Sequence, residues 1–447
     1  MGRYSRATRG FLFFFLLVAQ AGWALDRQAN ADYHMRRQSL AAKTNGGVVL
    51  LFAPNEAEGP NDLYGYRPDN NFFYLTGWAE PGAAVLIVPA STDARQPYTE
   101  ILFLAAHNLS QEKWTGPKLG ADSPDATKIT GFEQVEGIDE LRNELVKLLA
   151  PGRAAIYTDV PTYGDVSNST EPLDWLKRAN AFPVYASFND VRPLLSSLRT
   201  SKDSGEIERI RKATDASIAA QLAAMRAVKP GVNEREISAL MQYEWGKRGC
   251  ERSAYAPIVG SGFYSTVLHY SDDSATMQSG DTVVIDAAGE YSLYASDITR
   301  TLPVNGKFTA RQREIYDIVL GAQHAVEDAF VSGKSHLRKG RADSLYEVAY
   351  AYINSHGKDM HGEPLGKYFI HGLGHYVGLG VHDDGDYEVA LGPGAVFTNE
   401  PGIYIPEEKL GVRIEDILYV DKDGKLVNLT AKLPHTADDV EKVMAGK

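Results

Sequence analysis

Between His371 and Asp383 the chain reads His-Gly-Leu-Gly-His-Tyr-Val-Gly-Leu-Gly-Val-His-Asp, and this segment restricts the fold more than any other. Glycines at 372, 374, 378 and 380 oppose a helix, at about 1 kcal/mol each. The segment must run extended or looped, and its glycines let the backbone approach a strand or a substrate closely. Three of the chain's 11 histidines fall within it. In an extended backbone His371 and His375 share a face. The glycines, and the lack of a Glu after the first His, exclude the helical zinc motif. The glycine spacing does not fit a dinucleotide fingerprint. What remains is a cluster of imidazoles of the kind that carries chemistry.

Acids flank it at a distance. Thr282-Val283-Val284-Ile285-Asp286 is a β-branched run ending in a carboxylate, and Tyr294 to Thr299 forms a second run containing Asp297. A hairpin turning at Tyr291-Ser292 would set Asp286 directly opposite Asp297 on one face. Like charges so placed are destabilising unless something positive lies between them. Glu400, in Asn399-Glu400-Pro401-Gly402, is held extended by the following proline. Arg413 and Glu415 are two apart on an apparent strand and share a face. Four carboxylates (Asp286, Asp297, Glu400 and Glu415) with at least one imidazole are too many hard oxygen ligands for a structural zinc site. They suit two divalent ions, with manganese favoured and cobalt or zinc as alternatives. Asp421-Lys422-Asp423-Gly424 begins like a calcium loop but lacks its distal Glu, so it reads as a turn.

The rest of the chain bounds these readings. Its 447 residues suffice for two or three domains. With 44% apolar and 23% charged residues it is globular in composition. A net charge of -12 argues against nucleic acid as a partner. The single cysteine, Cys250, can form neither an internal disulfide nor a thiolate metal site. Arg3, Arg6 and Arg9, then a mostly apolar stretch from Phe11 to Leu25 with small residues near its end, have the three parts of a secretory signal. That stretch is short for a spanning helix, which needs about 20 apolar residues. Residues 1–24 are thus expected to be cleaved, leaving an exported chain without a stable membrane anchor. Short apolar runs at 47–52, 72–76, 83–88 and 101–104 read as strands, and Ile138 to Leu149 as a helix. A long helix is expected over 204–228, stopped by Lys229-Pro230-Gly231, and another over 234–247.

The acids eleven residues apart, followed in order by HGLGH, VHD, NEPG and RIED, resemble the metal-dependent Xaa-Pro aminopeptidases and prolidases of the pita-bread fold. Arg67-Pro68-Asp69-Asn70-Asn71-Phe72-Phe73-Tyr74-Leu75-Thr76-Gly77 resembles a hallmark of that family's N-terminal domain, and Leu429 to Met444 its usual ending. The resemblance implies an α/β (α+β) architecture: a smaller N-terminal mixed α/β domain over 25–198 and a C-terminal pita-bread catalytic domain over 199–447. It implies that Asp286 and Asp297 hold one metal, that His375 and Glu400 hold the second, and that Asp297 and Glu415 bridge. The full ligand set argues against the metal-free creatine-hydrolysing relatives. It further implies Glu400 as general base, His382 on the scissile carbonyl, His269 facing the leaving nitrogen, and His371 and Arg413 lining the proline side of the pocket.

Three positions depart from the family pattern. Asn71 stands where many bacterial members have Asp, Asn399 where Val is more usual, and Gly380 where Asp is common. Trp114 lies in a segment resembling one that in aminopeptidases reaches a neighbouring subunit, implying a homo-oligomer. The expectation is a periplasmic exopeptidase that releases the N-terminal residue from peptides with proline second. The alternatives are a prolidase limited to Xaa-Pro dipeptides and a pita-bread binding protein without catalysis.

Overall fold

A computed structural model describes residues 25–446, apart from 56–64, 91–96, 150–154, 162–168, 181 and 183–185. The expected signal segment, 1–24, lies outside the described residues. No helix among the described residues is long and apolar enough to cross a membrane.

In the N-terminal half, α1 (Asn30–Lys43) leads into β1 (Val48–Phe52), α2 (Asn70–Thr76), β2 (Ala84–Val88) and β3 (Thr99–Leu104). There follow α3 (Leu109–Thr115), α4 (Ala126–Thr130), β4 (Gln134–Gly137), α5 (Leu141–Leu149), β5 (Ala155–Thr158), α6 (Glu171–Ala179), β6 (Ser187–Asp190) and α7 (Arg192–Arg199). The strands form one mixed sheet in the order β4-β3-β2-β1-β5-β6. Side chains alternate across it, as strand geometry requires. Val48 and Leu50 pack with Leu141 and Leu145 of α5 on one face, while Val49 and Leu51 meet Leu40 of α1 and Phe72 of α2 on the other.

Residues 72–76 are helical, which corrects the strand expected there. Asp69 caps α2 by accepting from the Phe72 N–H at 2.9 Å, and Gly77 ends it in the left-handed conformation at φ 62°. The cap side chain and terminal glycine are helix signals that outweigh the run's apolar content. A short helix buried all round shows no periodicity to distinguish it from a buried strand.

Thr200–Asp203 connect α7 to the second half. This comprises α8 (Ser204–Ala227), α9 (Glu234–Gly246), β7 (Arg252–Ser253), β8 (Ile258–Ser261), β9 (Thr282–Asp286), β10 (Gly289–Tyr291), β11 (Tyr294–Ala295) and β12 (Thr299–Pro303). Then come α10 (Ala310–Ala329), α11 (Leu345–Ser355), β13 (Val396–Asn399), β14 (Gly402–Ile405), β15 (Leu410–Arg413), β16 (Asp416–Val420), β17 (Leu426–Asn428) and α12 (Ala437–Met444). Capping boxes start three of the helices, from Asp203 and Glu206, Asn233 and Glu236, and Thr309 and Gln312. The strands form small antiparallel sheets, β12-β9-β8, β13-β16-β17, β14-β15 and β11-β10-β7, packed against the long helices. The Asp421–Gly424 turn joins β16 to β17, and Asp421 Oδ1 accepts from the Asp423 and Lys425 N–H groups.

The hairpin expected around 291 forms with its turn one residue later. Ser292 and Leu293 make the turn at φ 49° and 69°, flanked by the Tyr291–Tyr294 pair. Asp286 therefore faces Thr299 rather than Asp297. Because side chains alternate in direction, Asp297 still points to the same side as Asp286, on the diagonal.

One apolar cluster crosses the seam between the halves. It joins Phe72, Phe73 and Leu75 to Ile207 and Ile210 of α8, and to Tyr294, Val377, Leu379 and Ile417. An apolar seam of this kind restrains relative motion of the two halves.

Candidate metal centre

Asp286 ends β9, Asp297 lies between β11 and β12, Glu400 between β13 and β14, and Glu415 between β15 and β16. Strand ends thus deliver all four carboxylates to one point. They line a single cavity of about 490 Å³ together with His269, His371, His375, His382 and Arg413. Every residue named from the sequence as a candidate metal ligand or catalytic group lies in this cavity.

The tightest group is Asp297, His375 and Glu415, whose ligand atoms all lie within 4.8 Å of one another. His375 Nε2 lies 3.4 Å from Asp297 Oδ2 and 3.3 Å from Glu400 Oε1. Its other nitrogen, Nδ1, donates to the Tyr376 carbonyl at 3.1 Å. That bond fixes the tautomer and leaves Nε2 facing the acids, as a metal-binding imidazole requires. Thr398 accepts from the His375 N–H at 3.0 Å and donates to Glu400 at 2.9 Å, tying these two ligands together. Thr299 donates to Glu415 at 2.6 Å and accepts from Arg413 Nε at 3.2 Å.

The charges in this cluster do not balance. Asp286, Asp297 and Glu415 are all under 9% exposed. Burial and the neighbouring carboxylates push Asp297 up and Glu415 far up, and hold Glu400 at about 7. Burial opposes a charge on His375, yet Asp297 and Glu400 raise it to about 9. Arg413 is paired with Asp286 at 2.8 Å. The Tyr255 hydroxyl sits 2.5 Å from Asp286 Oδ1 and 2.6 Å from Asp297 Oδ1. It has one proton and can satisfy only one of them. Buried like charges in such contact call for cations, and an oxygen-rich donor set with one imidazole fits hard divalent ions.

On the other wall a chain of hydrogen bonds runs from Arg413 to His371. Arg413 Nη1 donates to the Tyr404 hydroxyl at 2.8 Å, which lies 2.8 Å from His371 Nε2. His371 Nδ1 lies 2.8 Å from the Gly372 carbonyl. Burial and the Arg413 charge lower His371 to about 4, so the ring is neutral, with Nδ1 as donor and Nε2 as acceptor. His382 packs its ring 4.2 Å from that of His375. Burial, and then the charge on His375, lower its pKa. His269 lines the same cavity beside Leu268.

Tyr255, Thr299, Thr398 and Tyr404 did not stand out in the sequence. Asn71, one of the departures, accepts from Arg199 Nη1 at 2.6 Å outside the ligand cluster.

The fold and this site define a metallopeptidase. Residues 208–422 match Metallopeptidase family M24, and residues 33–157 match the aminopeptidase P N-terminal domain. The Xaa-Pro aminopeptidase of Escherichia coli is 34% identical over 92% of this chain and 97% of its own length. Xaa-Pro aminopeptidase 3 of Homo sapiens is 31% identical over 95% of this chain and 86% of its own. Among solved structures, proline aminopeptidase P II from Yersinia pestis superposes with a TM-score of 0.79 at 32% identity, covering 94% of this chain and 100% of that one. The E. coli aminopeptidase P with the inhibitor Pro-Leu gives 0.80 at 31%, covering 94% and 99%. The chain belongs to the Xaa-Pro aminopeptidase family.

Proposed function

We propose that this protein is a metal-dependent exopeptidase that releases the N-terminal residue from peptides with proline in second position. The observation that carries this is the convergence of Asp297, His375 and Glu415, from three separate stretches of chain, to within 4.8 Å. Asp286, Asp297, His375, Glu400 and Glu415 are the residues that would hold divalent ions. Such ions supply Lewis acidity and lower the pKa of water, so that a nucleophile exists at neutral pH.

The chain's own groups do the rest. Glu400, hydrogen-bonded through Thr398, is placed to accept the proton that the attacking water gives up. Neutral His382 can donate its N–H to the scissile carbonyl oxygen as negative charge gathers there. His269 faces the departing nitrogen. That nitrogen belongs to proline and carries no hydrogen in the peptide. The Arg413–Tyr404–His371 chain gives the proline side a fixed wall.

A strict dipeptidase would need a cation free to hold the substrate's C-terminal carboxylate. Among the described residues Arg413 is the one guanidinium or ammonium group lining the cavity. Its donors already serve Asp286, Tyr404, Thr299 and the Leu268 carbonyl. This supports substrates longer than Xaa-Pro. The same proposal includes manganese as the native ion, supported by the oxygen-rich donors. It includes export to the periplasm, supported by the basic and apolar N-terminal residues. It includes a homo-oligomer, supported by Trp114, which is 89% exposed on α3, a helix with no buried residue. The test is hydrolysis of Xaa-Pro, Xaa-Pro-Xaa and longer peptides, with and without added manganese. The tripeptide is expected to be cut in the presence of metal; turnover of dipeptides only would overturn the reading.

A further inference from the structure

His382 makes no side-chain hydrogen bond among the described residues, so its direction is set by its backbone and by the His375 ring beside it. The backbone around it is bound unusually firmly. Its neighbour Asp383 is 5% exposed and accepts from the Gly380 N–H at 3.0 Å, closing a small loop. The Asp383 N–H donates to the Tyr376 carbonyl at 2.9 Å, and Gly378 N–H to the Gly380 carbonyl at 3.0 Å. Two buried cations, Arg199 at the end of α7 and Lys202 in the connection that follows it, meet the Asp383 carboxylate. Lys202 Nζ lies 2.9 Å from Oδ2, and Arg199 Nη2 bonds Oδ1. Arg199 Nη1 also reaches Asp384 and Asn71, both at 2.6 Å. From the N-terminal domain, Arg67 Nη2 donates to the Leu379 carbonyl at 2.6 Å.

The Lys202 side chain has no exposed surface, and its Nζ lies 5.4 Å from the centre of the Tyr376 ring. Its own N–H donates to the Gly394 carbonyl at 2.8 Å, just before β13. At Gly378 a Cβ would overlap Asp383 Oδ2 and crowd Lys202 Cε at 3.0 Å, so this glycine is needed for the contact. Burying an ammonium group costs far more than leaving it in water unless its partner is held in place. An apolar side chain would fill this space without that cost. A charge here makes sense if the location of Asp383, and hence of His382, has to be fixed.

We propose that Lys202 and Asp383, with Arg199 beside them, are positioning residues that aim the His382 imidazole over the metal-ligand cluster. The connection between the two domains would thereby take part in the reaction. This rests on the role given to His382 above.

The test is a double-mutant cycle on metal-loaded protein with a Xaa-Pro-Xaa substrate: Lys202→Met, His382→Ala and the two combined, with Lys202→Arg as the conservative variant. Lys202→Met is expected to lower kcat roughly 10- to 100-fold, the scale of a misaimed catalytic group. KM and bound metal should stay near the wild-type values. Lys202→Arg should recover most of the loss. With His382 already removed, Lys202→Met should cost less than about twofold further. An equal loss in both backgrounds would mean that Lys202 only supports the fold, and would overturn the proposal. Should Lys202→Met fold poorly, Asp383→Asn, which keeps the volume, takes its place in the same cycle with the same expected non-additivity. Full activity in His382→Ala alone would refute the role of His382 itself, and the positioning proposal with it.

Discussion

Stripping the metal should invert the usual dependence of stability on pH. In the metal-free protein burial and the nearby carboxylates hold Glu400 at about 7 against an ordinary 4.5, while contact with Asp297 and Glu400 raises His375 to about 9 from 6.5. Both shifts mean that the folded chain binds protons which the unfolded chain releases. For Glu400 the loss runs from pH 4.5, where unfolded carboxyls ionise, up to about 7. For His375 the stabilisation is complete below 6.5 and is lost as pH rises through about 9. Stability should therefore fall steadily between pH 5 and 9. The Glu400 shift alone corresponds to about 3 kcal/mol. At roughly 2.1 cal/mol/K of unfolding entropy per residue, that is about 3 °C in melting temperature for the whole chain, and about 6 °C if the catalytic half melts alone. Bound cations reverse the trend, because they require the same groups to be deprotonated and so bind more tightly as pH rises. Excess metal at about 100 times its Kd would add about 2.7 kcal/mol. Calorimetric melts of stripped and manganese-loaded protein from pH 5.5 to 8.5 test this. The gap between the two curves should widen with pH. A stripped protein that grows more stable over that range, or a constant gap, would show that these carboxylates are not packed together as described.

Three further outcomes follow from the same contacts. Asp297→Ala should abolish hydrolysis while leaving the circular dichroism spectrum unchanged, and a near-normal rate would contradict its proposed role as a metal ligand. Tyr255→Phe removes the hydroxyl that touches both Asp286 and Asp297, and should weaken metal binding about 10- to 100-fold in a direct titration. In the N-terminal domain Arg37 is fully buried and bonds Glu100 at 2.8 and 2.7 Å. Arg37→Leu would leave that buried carboxylate with only His34 and the Tyr98 hydroxyl as partners and no full positive charge, at a cost of about 3 kcal/mol in urea unfolding. Replacing both residues by leucine should restore most of it.

The reactive groups were legible in the sequence because their types are costly to keep without a use. Acids at the ends of apolar strands, and histidines spaced by glycines, contradict what a plain core would contain, and all of them reached the cavity. The parts that hold them were not legible, for reasons that differ by residue. Leu293 adopts a positive φ, which an aliphatic side chain does not advertise, and this moved the hairpin axis by one residue. The shift set Thr299 opposite Asp286, where its hydroxyl links Arg413 to Glu415. Phe72 to Thr76 lacked periodicity because the whole helix is buried, and its decisive marks were Asp69 and Gly77 outside the run. Tyr255 and Lys202 are ordinary residue types whose meaning lies in partners far along the chain. Lys202 meets Asp383 only in the folded chain, from a distant stretch of sequence, so no local pattern could mark it. Reactive side chains thus declare themselves by type, whereas the residues that aim them do so only by contact. A search for the aiming residues should begin at buried charges near a site rather than at motifs.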